Sequence, residues 1–446
     1  MSHRLASVTC INMPPSPIYL DHNATTPPDP EVLAAMEVAW REAYGNPGSR
    51  HAAGRRARRA LEEARELVAA ILGANPSEVV FTSGGTEANN AAIFGLTQGR
   101  SGSIALPQGE HPSVEMAVRR LESAGWSRVT LPLDERGVVR PESWAALDWS
   151  QLRLVALLLA HNETGVVQPI GIEASPSVVF RSAKERPFAE RKATIQAERK
   201  ATIQAERKAT LPADVSTPVL GELARLCAEH HVPLHLDAVQ AVGKIDVDFH
   251  GLGATTLSLG AHKFHGPLGI GALLIREGTR LGPLLFGGHQ EREHRAGTEP
   301  VALAVGLAKA LELWHADRQR IREHLTSLRD RLESQLIESS SPVVVHGAGT
   351  ERLPNTLNVA FPGCDGEALL VALDLAGVCC SMGSACASGS SEPAPILLAM
   401  GCPRGLALSS LRFSVGRRNT VEEIDEAARR IASVVQRMHS RRAEFS

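Results

Sequence analysis

The chain has 446 residues, 47 Lys and Arg against 49 Asp and Glu, and a formal net charge of -2. That length exceeds one typical hydrophobic core and predicts two domains, and the near balance of charge excludes nucleic acid or an acidic membrane surface as the natural partner. No apolar run of about 18 residues occurs, and the seven cysteines include no Cys-x-x-Cys pair; this reads as an unexported cytoplasmic protein with no membrane span, disulfide framework or zinc ribbon.

Asp29-Pro30 reads as N-cap and first helical residue, with Leu33, Met36 and Trp40 at helical spacing until Gly45-Asn46-Pro47. A second helix carries Leu61, Ala64, Leu67, Val68 and Ile71 and stops at Gly73. Val79–Thr82 is a short buried strand running directly into Gly84-Gly85-Thr86, and Ser103–Leu106 is another. Further apolar runs at Leu152–Ala160, Pro233–Asp237, Thr255–Leu259 and Gly271–Ile275 predict strands. Apolar runs joined by helices predict a parallel or mixed sheet covered on both faces. Beyond about residue 300 a long helix, strands near Val343–Val345 and Asn355–Phe361, two more helices and a strand at Leu411–Val415 predict a smaller α/β domain.

One stretch breaks this rhythm. A parallel crossover needs only a dozen or so residues, and a helix capped by Thr217-Pro218 and reaching about His230 supplies it. Residues 173–216 are then surplus. Within them the unit Glu190–Ala197 recurs from Glu198 and begins again at Glu206. At about 100° per residue, an eight-residue period turns its isoleucine by about 80° per copy, so no buried stripe forms. The segment reads as a solvated, partly helical or disordered insertion.

The chemistry gathers at strand ends. An aspartate ending a buried strand, here Asp237, can hold a pyridinium nitrogen. A lysine about one strand later, Lys263 in Gly260-Ala261-His262-Lys263, can form a Schiff base with the same ring. That is the arrangement pyridoxal-phosphate chemistry needs. Gly84-Gly85-Thr86, between strand and helix, is an anion site or merely a turn. His111 follows a strand and opens a helix, and suits stacking on a cofactor ring or plain helix initiation. Cys386 lies in the Ser-rich stretch Ser381–Ser391, which has little to pack and reads as an exposed active-site loop bearing a nucleophilic thiol. Cys379 and Cys380, in an apolar run, read as inert core. Three cysteines in this region match no zinc or iron–sulfur spacing, so no metal is expected. Arg412, a cation in an apolar strand, needs an anion: a substrate carboxylate or a structural ion pair.

Taken in order, several motifs resemble the cysteine desulfurases of the NifS/IscS type, within the class V aminotransferases. They are Tyr19–Pro27, Thr82–Asn90, Asn162–Gln168, His235–Gln240, Ala261–Lys263, Arg295–Thr298 and Gly383–Cys386. The resemblance spans Tyr19 to about Asp425 apart from the insertion. It implies a fold-type I pyridoxal-phosphate enzyme: a large domain, 15–312, on a mostly parallel seven-stranded sheet, and a smaller α/β domain, 1–14 and 313–446, carrying the cysteine loop. Lys263 would hold the cofactor and move protons, Asp237 would pair with its ring nitrogen and Gln240 with its phenolic oxygen, and His111 would stack on the ring. Gly85, Thr86 and His262 would grip the phosphate, with Thr298 supplied by the other subunit of a homodimer. Asn162 would contact cofactor and substrate, and Arg412 the substrate carboxylate. Cys386 would take sulfur from L-cysteine as a persulfide, leaving L-alanine, for an acceptor such as an iron–sulfur scaffold protein. Attack of a thiolate on sulfur is coherent nucleophilic chemistry. A selenocysteine lyase, an aminotransferase or a non-catalytic sulfur-relay scaffold are the alternatives.

Two departures from the family pattern bear on the cofactor. Gly260 stands where a phosphate-binding serine is usual, and Ser258, on the same strand face by alternation, is a candidate substitute. The insertion interrupts the connection toward the Asp237 strand. His161, where asparagine is common, is a milder change.

Overall fold

The computed structural model describes residues 17–169, 219–383 and 392–444. The expected insertion at 173–216, the Thr217-Pro218 cap and Cys386 lie outside them. Chain order begins β1 (Ile18–Tyr19), α1 (Pro30–Glu42), α2 (Ala52–Leu72), β2 (Val79–Thr82), α3 (Gly85–Thr97), β3 (Ser103–Pro107), α4 (Pro112–Glu122), β4 (Ser127–Leu131) and β5 (Leu152–Leu158). After the helix Val219–Glu229 come β6 (Leu234–Asp237), β7 (Thr256–Gly260) and β8 (Gly271–Ile275). These strands form a seven-stranded sheet in the order β2-β8-β7-β6-β5-β3-β4. β8 alone runs opposite to the other six strands.

Two cores cover the sheet, and period-two alternation assigns residues to them. On β5, Leu154 and Ala156 face α3 and α4, while Val155 and Leu157 face the opposite core. On β6, Leu234 and Leu236 enter that opposite core. His235 and Asp237 therefore turn toward α3, where a buried polar pair must find partners. The sequence reading omitted β4, an edge strand whose residues Ser127–Thr130 are not buried and so lack an apolar run.

The terminal part carries β9 (Val344–Val345), β10 (Thr356–Ala360), β11 (Val378–Cys379) and β12 (Ser410–Ser414), with β10 central in an antiparallel three-stranded sheet. β1 pairs with β11 in parallel. The single long helix expected after residue 300 is two, Val301–Ala316 and Arg318–Ser339, broken at Asp317. On α1, Asp29 accepts the Glu31 amide as expected, but the buried face is Val32, Met36 and Ala39. Leu33 and Trp40 are exposed instead, at 49% and 58%. The apolar spacing located the helix and misjudged its inner side, because α1 is apolar on more than one face.

Candidate active site

Three segments meet at the carboxyl ends of β6 and β7. The Asp237 carboxylate is buried; one oxygen accepts the Val239 amide at 3.0 Å and the other the Asn89 side-chain amide at 2.6 Å. Asn89, on α3, also donates to Ser113 Oγ at 2.8 Å, and that hydroxyl lies 2.7 Å from Nδ1 of His111. His111 is the N-cap of α4, its Nδ1 accepting the Ser113 amide at 3.1 Å. Burial lowers its proton affinity, opposed by Asp237 and assisted by Lys263. Just before it, Glu110 is buried and accepts the Leu158 amide at 2.9 Å; desolvation pushes its carboxyl well above the usual range.

Lys263 ends a short 3-10 turn after β7, and its Nζ donates to the carbonyls of Asn23 at 2.7 Å and Ala24 at 2.8 Å. The Asn23 carbonyl also accepts the Gln240 amide at 2.9 Å. The Lys244 ammonium donates to Gln240 Oε1 and to Asn23 Oδ1. Lys244 is wholly buried, which pulls its pKa well down, with Lys263 and Arg412 adding like charge. His262 rests on Thr25 Oγ1 at 3.2 Å, and burial with the nearby Lys263 lowers its pKa to about 4.

A third group holds Arg412. It is buried, paired with Asp21 at 2.8 Å and Glu163 at 3.2 Å, and donates to the Asn162 carbonyl at 3.2 Å. The Asn162 side chain donates to Glu163 in turn. Burial pushes the Glu163 carboxyl up to about 7 against the pull of Arg412. His161 ties this group to the His111 loop by donating to the Gly109 carbonyl at 2.8 Å while its Nδ1 accepts the Glu163 amide at 3.1 Å.

Gly84 and Gly85 start α3 with no side-chain cap, leaving backbone N–H groups at the helix terminus for an anion. A Cβ on Gly85 would lie 2.5 Å from Val239 Cγ2, so any larger residue there would push that methyl aside where helix and loop approach closely. Gly260 faces the same terminus, its hypothetical Cβ being 3.4 Å from the Gly85 nitrogen. Ser258 does share that strand face, but its register partner is Asp237. It therefore sits one pleat short of Gly260, about 7 Å along the strand, and is poorly placed to replace a hydroxyl there. Thr86 and Thr298 are exposed; the turn before Thr298 is tethered to α3 by an Arg295–Glu87 ion pair of 2.9 Å.

The fold thus joins Asp237 to His111 through Asn89, Lys263 to Gln240 through Asn23, and Asn162 to Arg412. Sequence reasoning gave no role to Asn23, Asn89, Glu163 or Lys244. His235 was legible in principle, since it lies two residues before Asp237 on the same strand face.

The Aminotransferase class-V family profile matches residues 18–172 and 216–427. A cysteine desulfurase of Trichormus azollae is 39% identical over 95% of this chain and 94% of that protein. The cysteine desulfurase NifS of Azotobacter vinelandii is 36% identical over 95% and 94%. The chain belongs to the cysteine desulfurases of this family. A solved NifS-like protein superposes with a TM-score of 0.75 at 32% identity, covering 94% of this chain and 99% of that one. The family's fold is therefore this chain's fold, and its cofactor is pyridoxal phosphate. The profile skips 173–215, the stretch read from the repeats as an insertion. The donor set fits the cofactor: the buried Asp237 carboxylate, the Lys263 amine and the helix N-terminus at Gly84–Gly85, which has no side-chain cap. No helix among the described residues is long and apolar enough to cross a membrane.

Proposed function

We propose that this chain converts L-cysteine to L-alanine and passes the sulfur, held as a persulfide on Cys386, to an acceptor protein such as an iron–sulfur scaffold. The observation that carries the reading is the meeting of Asp237, His111 and Lys263 around one strand-end site in a chain that aligns with cysteine desulfurases over 95% of its length. When bound, pyridoxal phosphate supplies an electron sink for bond cleavage next to the substrate's amino-bearing carbon. Asp237 would hold its ring nitrogen, Gln240 its phenolic oxygen, and His111 would cover the ring. Gly85, Thr86 and His262 would hold its phosphate, with Thr298 of a second copy.

Lys263 would bind the cofactor and carry protons on its Nζ, which two backbone carbonyls hold in place. Arg412 receives the substrate carboxylate beside Asn162. That anion must displace or neutralise one of the two carboxylates now on Arg412, and Glu163, with a pKa near 7, is the one able to take a proton. The Cys386 thiolate attacks the substrate sulfur, the carbon–sulfur electrons stay with carbon, and a proton completes the alanine methyl. Exposed Leu33, Trp40 and Tyr44 on and beside α1 support a homodimer. A cytoplasmic setting suits the free thiol.

The test is sulfide and alanine release from L-cysteine with a thiol reductant. The wild type should be active, Cys386→Ala should retain the visible absorbance but release no sulfide, and Lys263→Ala should lose that absorbance. Full activity in Cys386→Ala would remove the nucleophile assignment.

A further inference from the structure

The buried side chains behind the ring site form a hydrogen-bonded chain whose proton positions can be worked out. Asp237 Oδ2 is a carboxylate oxygen and must accept, so the Asn89 atom 2.6 Å away is its nitrogen. The other Asn89 terminal atom is then oxygen, and it meets Nε2 of His235 at 3.1 Å. That imidazole nitrogen must carry a hydrogen. His235 is completely buried with its pKa lowered to about 4 by desolvation, so it is neutral and its Nδ1 is an acceptor. The Thr256 hydroxyl, 2.9 Å from Nδ1, therefore donates. On the other side, the second Asn89 N–H donates to Ser113 Oγ, whose own hydrogen is left for Nδ1 of His111 at 2.7 Å. That nitrogen already accepts the Ser113 backbone amide, so His111 keeps its proton on Nε2. The charged groups acting on His111 are Asp237 and Lys263, and the neighbouring imidazole is His161.

We infer that Asn89 is a positioning residue, oriented by His235 and Thr256, whose single amide serves Asp237 and the Ser113–His111 pair at once. It keeps the Asp237 carboxylate an acceptor only and holds His111 as the Nε2–H tautomer. The cofactor-holding residues on β6 and α4 are thereby set by one side chain of α3. Two N–H donors are needed at this point, and an amide is the side chain of this size that offers two donors together with an acceptor for His235.

The inference rests on the proposed roles of Asp237 and His111, but its first test needs no cofactor. Nitrogen-15 spectra of the cofactor-free full chain with labelled histidine, assigned by the signals lost in His111→Gln and His235→Gln, should show both rings neutral with the proton on Nε2. A proton on Nδ1 of either ring, or a His235 charged at neutral pH, overturns the inference whatever the cofactor does. The second test measures cofactor affinity by titrating the cofactor-free chain. His235→Gln retains an N–H to orient Asn89 and should bind close to wild type, whereas His235→Phe removes the donor while filling the space and should bind about tenfold more weakly, the worth of one hydrogen bond in a buried network. Equal affinities, or tighter binding by His235→Phe, would mean that His235 only fills volume.

Discussion

Gly260→Ser should tighten cofactor binding. Gly260 has φ −135° and ψ 123°, an extended conformation open to any residue. A Cβ there meets the Gly85 nitrogen at 3.4 Å, His262 Cδ2 at 3.7 Å and Val239 Cγ1 at 3.8 Å, all ordinary contacts. The added hydroxyl starts from a carbon facing the N-terminus of α3, where the backbone donors for the phosphate are. One more donor to an anion contributes about 1–2 kcal/mol, or about five- to thirtyfold in affinity. Replacing glycine within a strand also removes unfolded-chain entropy, so global stability should rise slightly or stay level. The assay is titration of cofactor-free chain with pyridoxal phosphate, read by visible absorbance, alongside thermal melting. An unchanged or weaker dissociation constant in a variant that melts normally would refute the placement of Gly260 at the phosphate.

Three further outcomes are expected. Glu291→Ala should destabilise the fold by about 3–5 kcal/mol in denaturant melts, because Glu291 binds the buried Arg65 guanidinium through two contacts of 2.7 and 2.8 Å and caps the Phe81 amide at the edge of β2; a loss below about 1 kcal/mol would show that the pair contributes no more than a surface one. Glu163 is mostly protonated below pH about 7 and charged above it. A bound amino-acid carboxylate therefore meets Glu163 as a charged competitor on Arg412, beside Asp21, only on the alkaline side. Spectral titration with L-alanine should show affinity falling about tenfold through that window, roughly one pKa unit of free energy, with the fall flattened in Glu163→Gln; an identical profile in both would discard the coupling. Deleting 173–215 should leave melting and cofactor absorbance unchanged, since the Leu220 amide donates to the Pro169 carbonyl at 3.0 Å and the ends already meet. An insoluble product would make the segment structural.

Much of this protein was determined locally. Largely apolar runs bounded by glycine and proline marked β2, β7 and β8 nearly to the residue, because strands buried on both faces carry few polar side chains. Asp237, Lys263 and Arg412 were legible because a charge in an apolar context demands an explanation from chemistry. The surplus of 173–216 was legible from its repeat, and the family profile skips almost the same stretch. The exposed edge β4 escaped notice for the converse reason: without burial there was no apolar pattern to read.

What only the tertiary structure decided was partnership. Asn89 and Asp237 are separated by 148 positions, Arg412 and Asp21 by 391, yet each pair is in contact. Nothing local distinguishes Asn89 from its neighbour Asn90, and only the packing of α3 against β6 selects which amide serves the carboxylate. The same holds for α1, whose sequence offers two apolar faces and whose docking on the helix Val301–Ala316 chooses one. Hydrophobic periodicity is a property of a few adjacent residues, so the chain carries it openly. A buried polar atom's partner depends on which elements the whole fold brings together, and that is settled only when the sheet closes over its two cores.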